Sequence, residues 1–206
     1  VRQFIMIVFN SYVFFETYAT QKHESTRMTR IETRKGKHIL DRWIMARLYE
    51  VTREVGARLD LYEIGEAARA ITAFVDDLSR WYIRRSRKRL QRSDNVKDYR
   101  SASATLGYVL LSLSKLIAPF TPFFAEALYK ALQIQNSKFK NQNDNSKSKI
   151  ESVHLEDWSE VNAKLIDKKL LLGMEEVRRI ASLAQAARAK IGIKVRQPLQ
   201  KLTIQN

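Results

Sequence analysis

Residues 68–90 read ARAITAFVDDLSRWYIRRSRKRL, and this stretch decides the fold class. Its apolar side chains recur every three or four positions, which is the spacing of an amphipathic α-helix. The stripe predicted to be buried comprises Ile71, Phe74, Val75, Leu78 and Tyr82. The pattern predicts one long helix from about Glu63 to Arg92, whose last turns carry a cluster of arginines.

The same periodicity returns in most of the remaining chain. Further helices are predicted at about Arg2–Tyr18, Ile39–Leu59, Asp98–Ala118, Pro122–Leu132 and Asn162–Lys190. The chain has only six Gly and three Pro, whereas an all-β chain needs many turns. The sequence therefore predicts an all-α helical bundle, in which Thr121 caps the helix that begins at Pro122.

Composition also suggests how the chain is divided. The bundle is predicted over residues 1–134, with a polar loop at 20–36. Residues 135–149 contain one apolar side chain in fifteen, which predicts a disordered polar loop. Residues 150–192 are predicted to form a tether and a final long helix that packs on the bundle. Residues 193–206 alternate enough to predict a short strand-like end, the start of a truncated C-terminal junction domain.

The net charge of +15 is concentrated in two segments. Residues 79–100 contain nine basic and two acidic side chains, and residues 178–206 contain seven basic side chains and no acidic one. Such clustering indicates a surface for a polyanion such as a nucleic acid. The alternative is a solvated helix face that binds nothing.

Several classes of chemistry are missing from the sequence. It has no Cys, which excludes thiolate metal sites and cysteine nucleophiles and favours a reducing compartment. Its three His lack metal-ligand spacing, and no glycine-rich phosphate loop occurs. The early apolar run Phe4–Phe9 is too short to cross a membrane. We therefore expect no catalytic residue, no metal site, no cofactor and no membrane partner for this chain.

The arginine cluster supplies the main candidate binding residues. Arg side chains match phosphate geometry through paired hydrogen bonds and also stack on bases. The candidates for nucleic-acid contact are Arg84, Arg85, Arg87, Lys88 and Arg89. Arg80 and Arg84 could instead form ion pairs inside the bundle. The carboxylates within reach would be those of Asp76, Asp77 and Glu66.

Two weaker candidates lie on the first predicted helix. Asn10 offers a donor and an acceptor together, so it could read a base edge. The alternative for Asn10 is a buried amide that bonds to a neighbouring helix. Arg2 would contribute a positive charge at the start of the same helix.

Taken with their surroundings, these residues resemble the anticodon-binding region of isoleucyl-tRNA synthetases, which are class I aminoacyl-tRNA synthetases. The opening segment VRQFIMIVFNSYVFFETYA at 1–19 is similar to the first helix of that region. The run WYIRRSR at 81–87 looks isoleucyl, and it resembles the archaeal and eukaryotic branch. The other matching strings are LDRWIMARLYEVTREV at 40–55, ARAITAFVDDLSRWYIRRSRKRL at 68–90, TLGYVLLSLSKLIAPFTPFFAEALY at 105–129, ESVHLEDWSEV at 151–161 and AARAKIGIKVRQPLQKL at 186–202.

The resemblance implies a helical bundle of the class I anticodon-binding type that holds the anticodon stem-loop of isoleucine tRNA. The parent enzyme would carry its catalytic domain in the same polypeptide, use ATP and Mg²⁺, and work in the cytoplasm. Neither a HIGH nor a KMSKS signature occurs in these residues. The chain, which begins at Val1, is therefore expected to be a non-catalytic piece of a longer polypeptide.

Departures from the family pattern leave two alternatives open. Gln91 stands where the family tends to have an aromatic residue, and Ser103 and Gly107 stand where tyrosines are common. One alternative is a decayed product of a split synthetase gene. The other is a free-standing basic helical module that binds RNA or an acidic protein.

Overall fold

The computed structural model describes residues 2–19, 38–92, 94–138, 152–159, 161–194, 196–201 and 203. This part of the chain is helical, and none of it forms a β-strand. Seven α-helices occur within it. They are α1 (Arg2–Phe14), α2 (Ile39–Asp60), α3 (Ile64–Asp76), α4 (Arg84–Gln91), α5 (Val96–Ile117), α6 (Pro122–Lys138) and α7 (Lys168–Lys190). The all-α prediction is confirmed.

Two stretches of π-helix interrupt the α-helical pattern. The first, Phe15–Ala19, continues α1, and the second, Asp77–Ile83, joins α3 to α4. The single long helix predicted from Glu63 to Arg92 is therefore three consecutive helical segments. A π-turn holds one residue more than an α-turn, so it shifts every later side chain around the helix, and such turns are frequent at functional sites.

The core lies where α2 and α5 meet their neighbours. Helix α2 packs against α3 and α5, and α5 packs in addition against α6 and the first π-helical segment. Each large apolar side chain buried there stabilises the fold by about 1.5–3 kcal/mol. The largest fully buried side chains include Trp43, Ile44, Phe74, Leu106 and Leu110.

Polar side chains cap the starts of α2 and α5. The His38 Nδ1 atom accepts a hydrogen bond from the Leu40 backbone N–H. Asn95 Oδ1 accepts hydrogen bonds from the backbone N–H groups of Lys97 and Asp98. Both therefore satisfy backbone donors that a helix N-terminus leaves unpaired. Helix α6 begins at Pro122 as predicted. The Thr121 hydroxyl, however, donates to the Ile117 carbonyl at the end of α5 instead of accepting from α6.

Helix α6 ends at Lys138, six residues beyond the predicted end at Leu132. The sequence between these points contains no Gly or Pro, and adding a residue to an existing helix is far easier than starting one. The helix therefore enters the segment predicted to be a loop. The rest of the predicted 135–149 loop, and the predicted loop at 20–36, lie outside the described residues.

Two compact units make up the chain, Val1–Asp167 and Lys168–Asn206. The first contains the bundle and two short 3₁₀ turns, Val153–Leu155 and Ala163–Leu165. Helix α7 belongs to the second unit and begins at Lys168, later than the predicted Asn162, because Asn162 caps the second 3₁₀ turn. The packing of the final helix on the bundle stays a prediction.

The described part of 193–206 has turns and bends but no strand, so the strand-like prediction for this end is wrong there. A strand needs a neighbour to satisfy its backbone hydrogen bonds.

In the described part of the chain, no helix combines the length and apolar content that a bilayer crossing requires.

Candidate nucleic-acid interface

One face of α4 carries a row of exposed cationic side chains, which we call the arginine ridge. Its members are Arg84, Arg85, Arg87 and Lys88. The opposite face of the same short helix is buried through Ser86, Arg89 and Leu90. This division follows helical geometry, because residues three or four positions apart share a face. The cluster therefore supplies a cationic surface, but from four of its five predicted members.

Arg89 differs from the ridge in that it lies inside the bundle. Its Nη1 and Nη2 atoms donate to the two oxygens of Asp41 at 2.8 Å each. Its Nε and Nη2 atoms donate to Asp98 at 2.9 and 2.7 Å. Arg89, one of the five predicted contact residues, is therefore not exposed to a ligand, because the Asp41 and Asp98 carboxylates draw its guanidinium inward.

The charge state of this cluster is fixed by its pairing. Burial disfavours the charged form of Arg89, but its hydrogen bonds with Asp41 and Asp98 outweigh burial and raise its pKa. The hydrogen bond from Arg89 lowers the pKa of Asp98. Arg89 is thus a permanent cation whose donors are already used, and it is a structural link between α2, α4 and α5.

Two hydroxyls complete the environment of the buried Asp41 carboxylate. Tyr82 donates to Asp41 Oδ1 at 2.9 Å, and Ser101 donates to Asp41 Oδ2 at 3.0 Å. Burial, followed by the Asp41 charge, raises the pKa of Tyr82 well above its ordinary value. Tyr82 therefore stays neutral and donates. Asp41 is completely buried and receives four hydrogen bonds, which compensates for its loss of water.

Among the residues that the structure describes, neither Arg80 nor Arg84 forms an ion pair inside the bundle, although Arg80 forms an exposed pair along its own helix. Arg80 Nε lies 3.3 Å from Asp76 Oδ1. Asp77 instead pairs with Arg47, at 3.1 Å. Glu66 pairs with its own helix neighbour Arg69. Within the described residues Arg84 has no ion pair, so its charge is available to a ligand.

Aromatic rings support two of the ridge arginines. The Arg85 guanidinium lies 5.3 Å from the centre of the Trp81 ring, and that of Arg87 lies 5.7 Å from the Phe14 ring. Both distances fall within the roughly 6 Å range of cation–π attraction. The rings orient the guanidinium groups while leaving their N–H donors unpaired with carboxylates in the described chain.

A groove runs beside the ridge, between the first and second π-helical segments and the helices they extend. We call it the π groove, and its volume is about 670 Å³. Both π-helical segments contribute residues to its lining, which also includes Arg84 and Arg87 from the ridge. The lining residues are Asn10, Ser11, Val13, Phe14, Thr17, Tyr18, Ser79, Arg80, Ile83, Arg84 and Arg87.

The two α1 candidates have different positions. Asn10 is exposed, lines the π groove and has no hydrogen-bond partner in the described chain. The alternative of a buried amide is therefore wrong for Asn10. Arg2 is also exposed, but it lies about two turns away and does not line the groove. The structure thus brings Asn10, but not Arg2, together with the ridge.

Hydrogen bonds from α5 hold the first π-helical segment in place. The Tyr99 hydroxyl donates to the Tyr18 carbonyl at 3.0 Å, and the Ser103 hydroxyl donates to the Ala19 carbonyl at 2.6 Å. Ser103 therefore has a defined contact. Sequence reasoning missed Phe14 and Tyr18 as site residues. Asn10, Phe14 and Tyr18 are four residues apart and therefore share one face of a helix. This spacing could have identified the two aromatic residues.

The described residues offer no metal site, since no three of their imidazole or carboxylate side chains come close enough to hold an ion. The chemistry available at the interface is therefore cationic, aromatic and amide. Arg forks bind phosphate, aromatic rings stack on bases, and Asn can pair with a base edge. This combination suits an RNA backbone with accessible bases.

Comparison with known proteins agrees with this chemistry. Residues 41–203 match the family described as the anticodon-binding domain of tRNA ligase. The chain is 38% identical over 203 residues to the isoleucine–tRNA ligase of Dehalococcoides mccartyi, covering 98% of this chain and 19% of that protein. It is 37% identical over 205 residues to the Thermus thermophilus isoleucine–tRNA ligase, covering 99% and 19%.

A third relative, the isoleucine–tRNA ligase of Deinococcus radiodurans, is 38% identical over 198 residues, covering 96% of this chain and 17% of that protein. The chain thus spans about a fifth of the length of the relatives it matches. The family match covers most of the chain, including the ridge. The protein therefore belongs to the family of tRNA-ligase anticodon-binding domains.

Proposed function

We propose that this chain binds the anticodon stem-loop of isoleucine-accepting tRNA as part of an isoleucine–tRNA ligase. The observation that carries the proposal is the arginine ridge, in which four cations share one exposed helix face. None of the four has an ion pair in the described chain, so their charge is not neutralised internally. The names of the relatives support isoleucine as the amino acid.

The ridge contacts the phosphates of the tRNA backbone. The contact set is Arg84, Arg85, Arg87 and Lys88, with Asn10 and Arg2 as further candidates on α1. Arg89 contributes indirectly, by fixing α4 against α2 and α5. Phosphate contacts position an RNA without reading its sequence, so discrimination between tRNAs rests on groups that reach the bases.

We propose further properties for the whole ligase. Its catalytic domain is in the same polypeptide, activates isoleucine with ATP and Mg²⁺, and acts in the cytoplasm. The 206 residues bind no cofactor of their own. The WYIRRSR run at 81–87 supports placing the ligase with the archaeal and eukaryotic branch of the family.

The test measures the affinity of the 206-residue chain for isoleucine-accepting tRNA, with valine-accepting tRNA as the matched control. We expect binding that weakens steeply with salt, because each phosphate contact releases counterions, and a preference for the isoleucine tRNA. Equal affinity for both tRNAs would contradict the isoleucine assignment. Absence of salt-dependent binding to either would contradict tRNA binding.

A further inference from the structure

The turn that joins α2 to α3 exposes three large apolar side chains within four residues. We call residues 61–64 the α2–α3 tip. The exposed fraction is 66% for Leu61, 89% for Tyr62 and 57% for Ile64. Single exposed apolar side chains are normal on a protein surface, whereas a contiguous group of them marks a contact site for another molecule. The tip is therefore a contact surface that the described part of the chain leaves uncovered.

The backbone of the tip holds the Tyr62 side chain outward. Tyr62 has a φ of 58°, in the left-handed region that bulky residues rarely adopt and that glycine usually occupies at the end of a helix. Two hydrogen bonds of 2.9 Å maintain this conformation, one from the Tyr62 N–H to the Leu59 carbonyl and one from the Glu63 N–H to the Arg58 carbonyl. The Arg58 and Glu63 side chains also form an ion pair. Such strained positions persist only where neighbouring groups enforce them, and they concentrate at functional sites.

The tip lies far from the arginine ridge. Helix α2 has 22 residues, which makes it about 33 Å long. Asp41 in its first turn bonds to Arg89 of the ridge helix, whereas the tip follows Asp60 at its other end. A partner bound at the tip would therefore leave the ridge open to RNA.

The charge around the tip favours a protein partner over RNA. The chain carries a net charge of +15, but the two cations that flank the tip are already paired, Arg58 with Glu63 and Arg69 with Glu66. Asp60 is exposed and adds a negative charge. A phosphate backbone would thus find no unpaired cation among residues 58–69, all of which the structure describes. Tyrosine, in contrast, is enriched among the residues that contribute most to protein–protein binding.

We infer that the α2–α3 tip docks into an apolar pocket on the remaining part of the isoleucine–tRNA ligase, with the Tyr62 ring at the centre of the contact. Leu61 and Ile64 flank the ring and extend the apolar surface. The inference rests on the proposed function. The chain spans about a fifth of the length of its relatives, so most of such a protein lies outside these residues and can cover the tip.

The test measures hydroxyl-radical oxidation of the tip side chains in the 206-residue chain and in the full-length ligase that contains it. We expect Leu61, Tyr62 and Ile64 to be oxidised in the 206-residue chain and protected in the ligase. In the ligase, Tyr62→Gly should reduce the protection of Leu61 and Ile64 by up to about 30-fold, because it removes the central ring of the contact. Tyr62→Phe retains the ring, so it is the matched control and should keep the protection.

Tyr62→Gly separates docking from folding and from RNA binding. Glycine adopts a φ of 58° without strain, so the melting temperature of the 206-residue chain should not fall. Its affinity for tRNA should also stay that of the parent, since the ridge is unchanged. Equal oxidation of the tip in the chain and in the ligase would overturn the docking, as would protection that survives Tyr62→Gly or protection through dimers of the 206-residue chain. In each of these cases tRNA binding by the parent chain would leave the proposed function standing, whereas its absence would overturn the proposed function as well.

Discussion

Arg89 and Asp41, separated by 48 residues in sequence, form a two-point ion pair with both N–O distances at 2.8 Å. The pair joins the last turn of α4 to the first turn of α2. The same guanidinium also bonds to Asp98 in the first turn of α5. The helix that carries the arginine ridge is therefore held at its C-terminal end by one buried cation.

Replacing Arg89 with Met should destabilise the chain by about 3–5 kcal/mol, because Asp41 would remain buried without its counter-ion. The measurement is urea unfolding of the purified protein. Arg89→Lys should also be destabilising, since one ammonium cannot reproduce the planar fork that bonds to two carboxylates.

The matched control for Arg89→Met is Arg84→Met in the same helix. Arg84 is exposed and has no ion pair in the described chain, so its replacement should change stability by no more than about 0.5 kcal/mol. Equal effects of the two substitutions would mean that the Arg89 cluster is not a stabilising link.

If the arginine ridge contacts phosphates, its side chains should make the affinity for tRNA depend on salt concentration. Replacing Arg84 or Lys88 with Ala should weaken tRNA binding and reduce the slope of log affinity against log salt by roughly 0.7–0.9 per lost contact. The melting temperature should not change, because both side chains are exposed. Unchanged slopes for every single Ala variant of the ridge, in a chain that binds tRNA, would place the RNA surface elsewhere.

Acid should weaken the attachment of residues 152–158 to α6. Glu126 accepts hydrogen bonds from Lys130, the Val153 backbone N–H and the Ser152 hydroxyl, which lower its pKa from 4.5 to about 2. A carboxylate whose pKa is lowered in the folded state stabilises the fold at pH values above its unfolded-state pKa. This stabilisation is lost as the pH falls through the folded-state pKa. This contribution is therefore complete above about pH 5 and disappears progressively between pH 4.5 and about 2.

Glu126→Gln removes that titration, so the variant should show a smaller fall in melting temperature than the parent between about pH 6 and about pH 3. Glu175→Gln, at an exposed site on α7, is the control and should behave as the parent. An unchanged pH dependence in Glu126→Gln would show that this contact does not contribute to acid sensitivity.

Helix existence could be predicted from sequence because the buried stripes repeat with the α-helical period. The α2 prediction of Ile39–Leu59 differs from the observed Ile39–Asp60 by one residue. The π-helical segments could not be predicted in this way. One extra residue in a turn leaves the local apolar pattern almost unchanged, and the widened turns are settled by packing between distant segments.

The site was predictable in part for a similar reason. Exposure of Arg84 and Lys88 follows from their place opposite the apolar stripe. The inward position of Arg89 depends on carboxylates from two other helices, which no local pattern reveals. The sequence does contain one indication of this buried pair. Asp41 precedes the buried Met45 and Leu48 by four and seven residues, so it lies on the same buried helix face. A buried carboxylate is costly unless it is paired or hydrogen-bonded, so this position predicts a polar or cationic partner.

The 206-residue chain should show no isoleucine-dependent ATP–pyrophosphate exchange above background. Its sequence has no glycine-rich phosphate loop and no HIGH or KMSKS signature. The assay uses purified chain with isoleucine, ATP and Mg²⁺. Exchange that is abolished by a substitution within this chain would contradict the prediction, whereas exchange that survives every such substitution indicates a contaminating ligase.

The two hydroxyls that hold the first π-helical segment should control the π groove. Ser103 is 2% exposed, so Ser103→Ala leaves the Ala19 carbonyl with one buried hydrogen bond fewer, at a cost of about 0.5–1.5 kcal/mol. Tyr99→Phe removes the corresponding bond to Tyr18. With both bonds lost, the amides of residues 15–19 should exchange with deuterium faster than they do in the parent chain. Ser101→Ala, which removes a hydroxyl bonded to Asp41 instead, should lower stability without accelerating exchange at 15–19. If the double variant keeps parental exchange there, the packing of Phe14 and Phe15 alone holds the segment.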